Sequence, residues 1–334
     1  MLTKLYEEIK KYIKKEYKFL IGLIITFLLF TIKLPYYIDM PGGVINISNR
    51  IEIDDKNKLN GTLNFAYVSE MESTLPTLLI AKLNKDWDIL KKEEVLYEYT
   101  EEEMNFIDTL SLKEAVSNAQ YAAFKEADEP FQKTNEKIYV TNVFKEAKTD
   151  LKIKDQIIKI NDIEINKIED IKRINDYAPG EKVKITVLND NKKYTREAEL
   201  ISYEGKTIIG VSIKETFEIE SDHKIKINYK RKESGPSGGM MTALTVYSYL
   251  TDIDLTKGKT VVGTGTIDAY GNVGEIGGVK YKLIGAVKNK ADIFLVPNGE
   301  NYEEAIKIKK EKNYDIKIIG VSTLKDAINE LKNN

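Results

Sequence analysis

Gly235-Pro236-Ser237-Gly238-Gly239, followed by the apolar run from Met240 to Leu250, is the stretch from which the rest of the chain is read. Downstream of it comes Gly277-Gly278-Val279-Lys280-Tyr281-Lys282. Pro236 fixes the backbone just before Ser237, and Gly238 and Gly239 leave room for another backbone to come close. Met240 to Leu250 is helix-prone, so free N–H groups and the positive end of a helix dipole point at Ser237. Donors of that kind hold an oxyanion, at roughly 3–4 kcal/mol each in acyl-transfer enzymes. The backbone at Pro236, Gly238 and Gly239 is the candidate for that role. On local pattern alone, the same five residues are also a tight turn before a buried helix.

A serine hydroxyl is a poor nucleophile at neutral pH and needs a base within hydrogen-bond reach. The chain has one histidine, His223, in the alternating run His223-Lys224-Ile225-Lys226-Ile227, which reads as a half-exposed strand. There is no cysteine, which removes thiol catalysis and Cys/His zinc sites together. A carboxylate pair, or a serine with a lysine, remains. A lysine base must be neutral when it acts, so its pKa must fall by about three units, roughly 4 kcal/mol, and it must be buried. Helical periodicity leaves two lysines open, since Lys280 and Lys282 flank opposite edges of the stripe Val279, Leu283, Val287. Gly285 and Ala286, three and four residues beyond Lys282, are small enough for another segment to pack closely over it.

From His223 to about Gly320 the chain resembles the proteolytic domain of Lon proteases. Ser237 in the Gly-Pro-Ser-Gly-Gly motif matches the family's nucleophile, and Lys282, the second lysine of Gly-Gly-Val-Lys-Tyr-Lys, matches its general base. Thr264 falls on the threonine that hydrogen-bonds that lysine. Two acidic positions depart from the pattern: Thr266 replaces one, and the other falls on Glu233 or Ser234. The resemblance implies a Ser–Lys dyad of Ser237 and Lys282 with Thr264 orienting the amine, and assembly into a hexameric ring.

Charge is balanced, with 51 basic residues against 53 acidic, so nothing argues for nucleic acid. Residues 1–18 read as a basic tail. Residues 19–38 are almost wholly apolar, about 20 residues and enough to cross ~30 Å of hydrocarbon. They are expected to anchor the chain in a bilayer, with the N-terminus cytoplasmic and the remainder outside. Tyr36 to Gly43 resembles the entry segment of membrane-anchored, PDZ-containing Lon-like proteases of Gram-positive bacteria.

Ile45 to Tyr67 alternates apolar and polar residues, with Asn60-Gly61 as a hairpin signal. Met104 to Ala127 reads as one or two helices with a small-residue face, Leu110, Leu112, Ala115, Ala119 and Ala122. Residues 131–202 read as a small, partly open β domain with one short helix at Ile168 to Asp176 and a closing hairpin around Asn189-Asp190-Asn191. Within it, Lys154-Asp155-Gln156-Ile157-Ile158-Lys159-Ile160-Asn161-Asp162 resembles the Gly-Asp-x-Ile-x-x-Ile-Asn-Gly core of PDZ domains, with Lys154 and Asp162 in place of both glycines. PDZ domains bind peptides by adding a strand to a sheet edge.

After the nucleophile helix, strands at Lys259–Thr264, Ala291–Val296 and Ile316–Val321 alternate with helices at Lys282, Glu303–Lys312 and Ser322–Leu331. This predicts an α/β layer. The expected architecture is therefore an α/β proteolytic domain, residues 39–130 and 203–334, split by the PDZ-like domain. Gly258-Lys259-Thr260 and Gly263-Thr264-Gly265 lack the further glycines of nucleotide-binding loops, and no cofactor or metal is expected. The expected activity is ATP-independent endoproteolysis of extracytoplasmic peptides or exported, loosely folded proteins. The alternative is a catalytically inert, membrane-tethered PDZ adaptor.

Overall fold

A computed structural model describes residues 2–53, 59–230 and 233–334. The chain divides into two compact units, residues 1–41 with 68–98, and residues 42–67 with 99–334.

The larger unit is built on four parallel strands in the order Lys317–Val321, Ile293–Pro297, Thr260–Gly263 and Thr62–Glu72. Ile293–Pro297 is buried at every residue, as a strand covered on both faces must be. Alternate side chains serve the two faces. Leu63, Val261, Ile293 and Leu295 pack with the helices Gly239–Thr251, Glu101–Glu126 and Leu324–Asn333. Ala66, Val262, Phe294 and Val296 pack with Val279–Lys288 and Glu300–Lys312. The expected alternation of strands and helices is thus present as an α/β/α sandwich. Gly239–Thr251 is buried from Gly239 to Leu250, because a helix apolar all round finds no solvent-facing side.

Glu101–Glu126 is one helix, started by a capping box in which Thr100 Oγ1 accepts from the Glu103 N–H and the Glu103 carboxylate accepts from the Thr100 N–H. Its small face, Ala115, Ala119 and Ala122, is buried as the pattern predicts. Leu112 instead faces a cavity described below. The Asn60-Gly61 signal does not join a two-residue hairpin: Thr62–Glu72 takes a parallel partner, Thr260–Gly263, and part of the preceding loop lies outside the described residues.

The inserted β domain is an antiparallel sheet, Val211–Glu220, Gln132–Val143, Gln156–Ile160, Lys182–Asn189 and Lys192–Glu199, around its own apolar core. It continues past the expected limit at Ser202, because Val211–Glu220 pairs with Gln132–Val143. Asp190 and Asn191 both have positive φ, the geometry of a tight two-residue hairpin. Asp155, fully buried, accepts from the Lys152 N–H at 2.9 Å, Asn189 Nδ2 at 2.7 Å and Arg196 Nε at 3.0 Å. Lys154 has φ of 80°, so the lysine adopts the left-handed backbone for which PDZ cores use glycine.

In the smaller unit, the helix Leu2–Thr31 is interrupted by non-helical angles at Glu16. Tyr36 to Asp39 pairs antiparallel with Asp88–Lys91, and Leu75–Leu83 forms a short helix. This corrects the expected membrane span at 19–38. The helix stops at Thr31, and Tyr36 opens a β-strand. The apolar helical part, Phe19 to Thr31, rises about 20 Å at 1.5 Å per residue, short of ~30 Å of hydrocarbon. Lys14, Lys15, Glu16 and Lys18 stand directly before it. No helix among the described residues is long and apolar enough to cross a membrane. A single-pass protein with an extracellular catalytic domain is therefore not supported.

Candidate functional site

Ser237 sits half-buried at the head of the Gly239–Thr251 helix, on a turn held from several sides. Gly235, with φ of 81°, donates its N–H to the Asp108 carbonyl at 3.1 Å. Gly265 N–H donates to the Ser237 carbonyl at 2.9 Å, and Met240 N–H donates to the Gly265 carbonyl at 3.1 Å. The strand Thr260–Gly263 therefore delivers a Thr264-Gly265 clamp that locks the turn into the sheet. Thr264 is fully buried, and its N–H reaches the Leu295 carbonyl at 3.0 Å. Its hydroxyl donates to the Ser237 carbonyl at 3.3 Å. In this structure Thr264 thus braces the Ser237 turn rather than the lysine amine.

Which N–H groups remain free follows from the same bonds. Pro236 has no N–H, the Gly239 N–H is engaged by the Pro236 carbonyl at 3.1 Å, and the Met240 N–H is engaged by Gly265. The N–H groups of Ser237 and Gly238 have no acceptor among the described residues. Of the candidate positions at Pro236, Gly238 and Gly239, only Gly238 keeps a free donor, and Ser237 adds a second that the sequence reading did not name. Gly238 also lies against the Phe65 ring, where an added Cβ would stand 3.4 Å away.

Lys282 is 4% exposed, on a helix whose Val279, Leu283 and Ala286 pack into the sheet. Burial pushes its amine from an ordinary 10.5 down to about 8. Lys280 lies half-exposed beside the Tyr281 ring, so of the two lysines that helical periodicity left open, Lys282 is the buried one. Close approach of another segment to this helix is present at Gly285: a Cβ there would meet the Gly42 carbonyl oxygen at 3.2 Å and the Gly43 oxygen at 3.5 Å. Gly42 is itself tightly held, since a Cβ on it would lie 2.2 Å from the Tyr67 carbonyl oxygen. Gly42→Ala is therefore expected to lift this segment off the Lys282 helix and let water reach the amine. Its titration midpoint, followed by pH-dependent reactivity toward an amine reagent, is expected to return toward 10.5; an unchanged midpoint would show that Gly42 does not shield it.

An amine titrating near 8 is about one-tenth neutral at pH 7. If it is the base, kcat/KM for a peptide is expected to rise about ten-fold per pH unit below 7 and to level off above about 9. A flat profile from pH 6 to 9 would exclude Lys282 as the base.

Other side chains support the turn without a motif to announce them. Tyr229 Oη lies 2.7 Å from Thr242 Oγ1 in the helix Gly239–Thr251, and burial drives its phenol up to about 12. Arg50 forms an ion pair with Glu233, whose carboxylate also accepts from the Lys230 N–H at 2.8 Å. Of the two positions where the family's acid was sought, Glu233 is thus committed to shaping the approach to Ser237. Asp108 lies two helical turns from Ala115, which abuts Gly239, and burial raises its carboxyl pKa. His223 is engaged elsewhere, its Nε2 3.4 Å from Glu129 and its ring near Phe124.

Comparison with known proteins bears on this region. Residues 203–333 match the profile of the Lon protease (S16) C-terminal proteolytic domain. The Lon protease of Neorickettsia sennetsu is 34% identical over 96 residues, 29% of this chain and 11% of that protein. The Lon protease of Campylobacter concisus is 38% identical over 97 residues, 29% of this chain and 12% of that protein. The chain thus spans only 11–12% of the length of these relatives. The crystal structure of the PDZ domain of an SdrC-like protein from Listeria monocytogenes aligns with 24% of this chain and 90% of its own, at 22% identity and a TM-score of 0.22.

Proposed function

We propose that this chain is a Ser–Lys endopeptidase that works without ATP, a reading supported by the match of residues 203–333 to the Lon protease (S16) C-terminal proteolytic domain of a serine peptidase family. The observation that carries this reading is Lys282, a lysine 4% exposed with its pKa lowered to about 8 by burial, in the domain that also seats Ser237 at the head of a buried helix. Neutral Lys282 takes the proton of the Ser237 hydroxyl as its oxygen adds to the scissile carbonyl. The oxyanion accepts hydrogen bonds from the N–H groups of Ser237 and Gly238. Lys282 then returns the proton to the leaving amine as the peptide bond breaks and an ester to Ser237 forms. Water, deprotonated by the same amine, hydrolyses the ester. Thr264 and Gly265 hold the Ser237 carbonyl so that the hydroxyl keeps its aim.

Peptides and loosely folded proteins are the substrates this reading implies, with the inserted β domain recruiting them. The test is cleavage of a fluorogenic peptide, with and without Mg-ATP, alongside labelling by a serine-reactive phosphonate. Cleavage insensitive to ATP, with the label on Ser237, is expected. Strong stimulation by ATP would overturn ATP independence, and absence of both cleavage and label would leave a peptide-binding adaptor.

A further inference from the structure

We infer that the cavity between the helix Glu101–Glu126, the paired strands Gln132–Val143 and Val211–Glu220, and the residues Ile225, Ile227, Tyr229, Lys230 and Glu233 binds an extended peptide segment with apolar side chains and at least one carboxylate. The inference deepens the proteolytic reading above, on which it rests, by naming a feature of the substrate.

Size is the first argument. The cavity holds about 1180 Å³, above the roughly 300–1,000 Å³ of pockets built for small molecules. Its wall is the second. Phe106, Leu110, Val116, Phe217, Ile219 and Ile227 line it, so side chains of a bound segment would leave water on entering.

Charge decides the class of peptide. Lys113, Lys137 and Lys230 line the cavity, and none has an ion-pair partner among the described residues. Of its two carboxylates, Glu233 is paired with Arg50, whereas Glu218 accepts only from the neutral Asn135 Nδ2 at 2.8 Å and keeps its charge, so three lysines face one uncompensated carboxylate. The uncompensated charge facing the cavity is therefore positive, and apolar walls concentrate its field. A segment bearing a carboxylate fits this lining, and a lysine-bearing one is repelled.

Position ties the cavity to the chemistry. Glu233 is separated from Ser237 only by Ser234-Gly235-Pro236, and the Gly235 N–H is held by the carbonyl of Asp108 on the same helix that forms the cavity wall. No residue of the short helix Ile168–Ile171 lines the cavity, so it is separate from the sheet surface beside that helix.

The test uses the full chain with Ser237→Ala, so that bound peptides are not cut, and fluorescence anisotropy with two labelled decapeptides. One alternates Glu with Leu and Phe; the other has Lys at every Glu. The acidic peptide is expected to bind about ten-fold tighter or more, and to weaken as salt rises from 50 to 300 mM. Lys113→Glu with Lys137→Glu is expected to cut its affinity about ten-fold at an unchanged melting temperature. Equal binding of the two peptides, or no detectable binding of either, would overturn the inference without any variant being needed. Cleavage of a short neutral peptide by the wild-type chain is read separately. If that cleavage is missing while the acidic preference holds, the proteolytic reading fails and the cavity assignment stands.

Discussion

Replacing Lys282 by methionine is expected to abolish peptide cleavage and, at pH 7, to make the protein more stable. The loss follows from the base: without a proton acceptor in reach, Ser237 reverts to an ordinary hydroxyl, a cost of about 10³-fold or more in kcat. The gain follows from burial. Lys282 titrates near 8 in the folded chain against 10.5 when free, so the unfolded chain holds the proton more tightly between those values. Stability therefore rises with pH through the window from about 8 to 10.5, and below about 8 the full penalty, about 3 kcal/mol, is present. Methionine fills a similar volume with no charge to desolvate, and a gain of about 1–3 kcal/mol at pH 7 is expected. Thermal melting of the wild type and Lys282→Met at pH 7 and pH 10.5 checks this. The gain is expected at pH 7 and should shrink at pH 10.5. A variant that still cleaves, or that melts lower at pH 7, would remove Lys282 from the role proposed for it.

Ser237→Ala is expected to lower kcat by about 10³-fold or more while leaving the melting temperature unchanged. The hydroxyl makes no hydrogen bond to another described residue, and the turn is held by backbone groups of Gly235, Ser237, Met240 and Gly265 that alanine retains. Removing the hydroxyl therefore costs structure little, within about 0.5 kcal/mol. A residual rate is expected, since the N–H groups of residues 237 and 238 would still polarise a bound carbonyl. Full activity in this variant would place the chemistry elsewhere.

Much of the larger unit was legible because its signals are local. Apolar runs at Val261, Ile293 and Ile319 read as strands and are strands, while the Thr100/Glu103 capping box, which starts the long helix at Glu101 rather than at the expected Met104, went unread. Gly285 announced a close approach before its partner was known, and Gly42 proved to be that partner. The membrane span failed for the opposite reason. Hydropathy counts apolar residues whatever backbone carries them, and Tyr36 to Ile38 are apolar strand residues paired with Ile89 to Lys91. The inserted sheet ran past Ser202 because its last strand comes back to Gln132–Val143, a pairing with no signature in either segment alone.

For Ser237 the sequence determined the turn, its glycines and the helix behind it, since these are properties of five adjacent residues. It also excluded cysteine chemistry and left its one histidine poorly placed. Tertiary structure decided the rest. It buried Lys282 and left Lys280 half-exposed, a difference that helical periodicity does not contain. It turned Thr264 toward the Ser237 carbonyl, and it spent the N–H groups of Gly239 and Met240 on Pro236 and Gly265. Burial and hydrogen-bond partnership are relations between segments distant in the chain, and no stretch read by itself contains them.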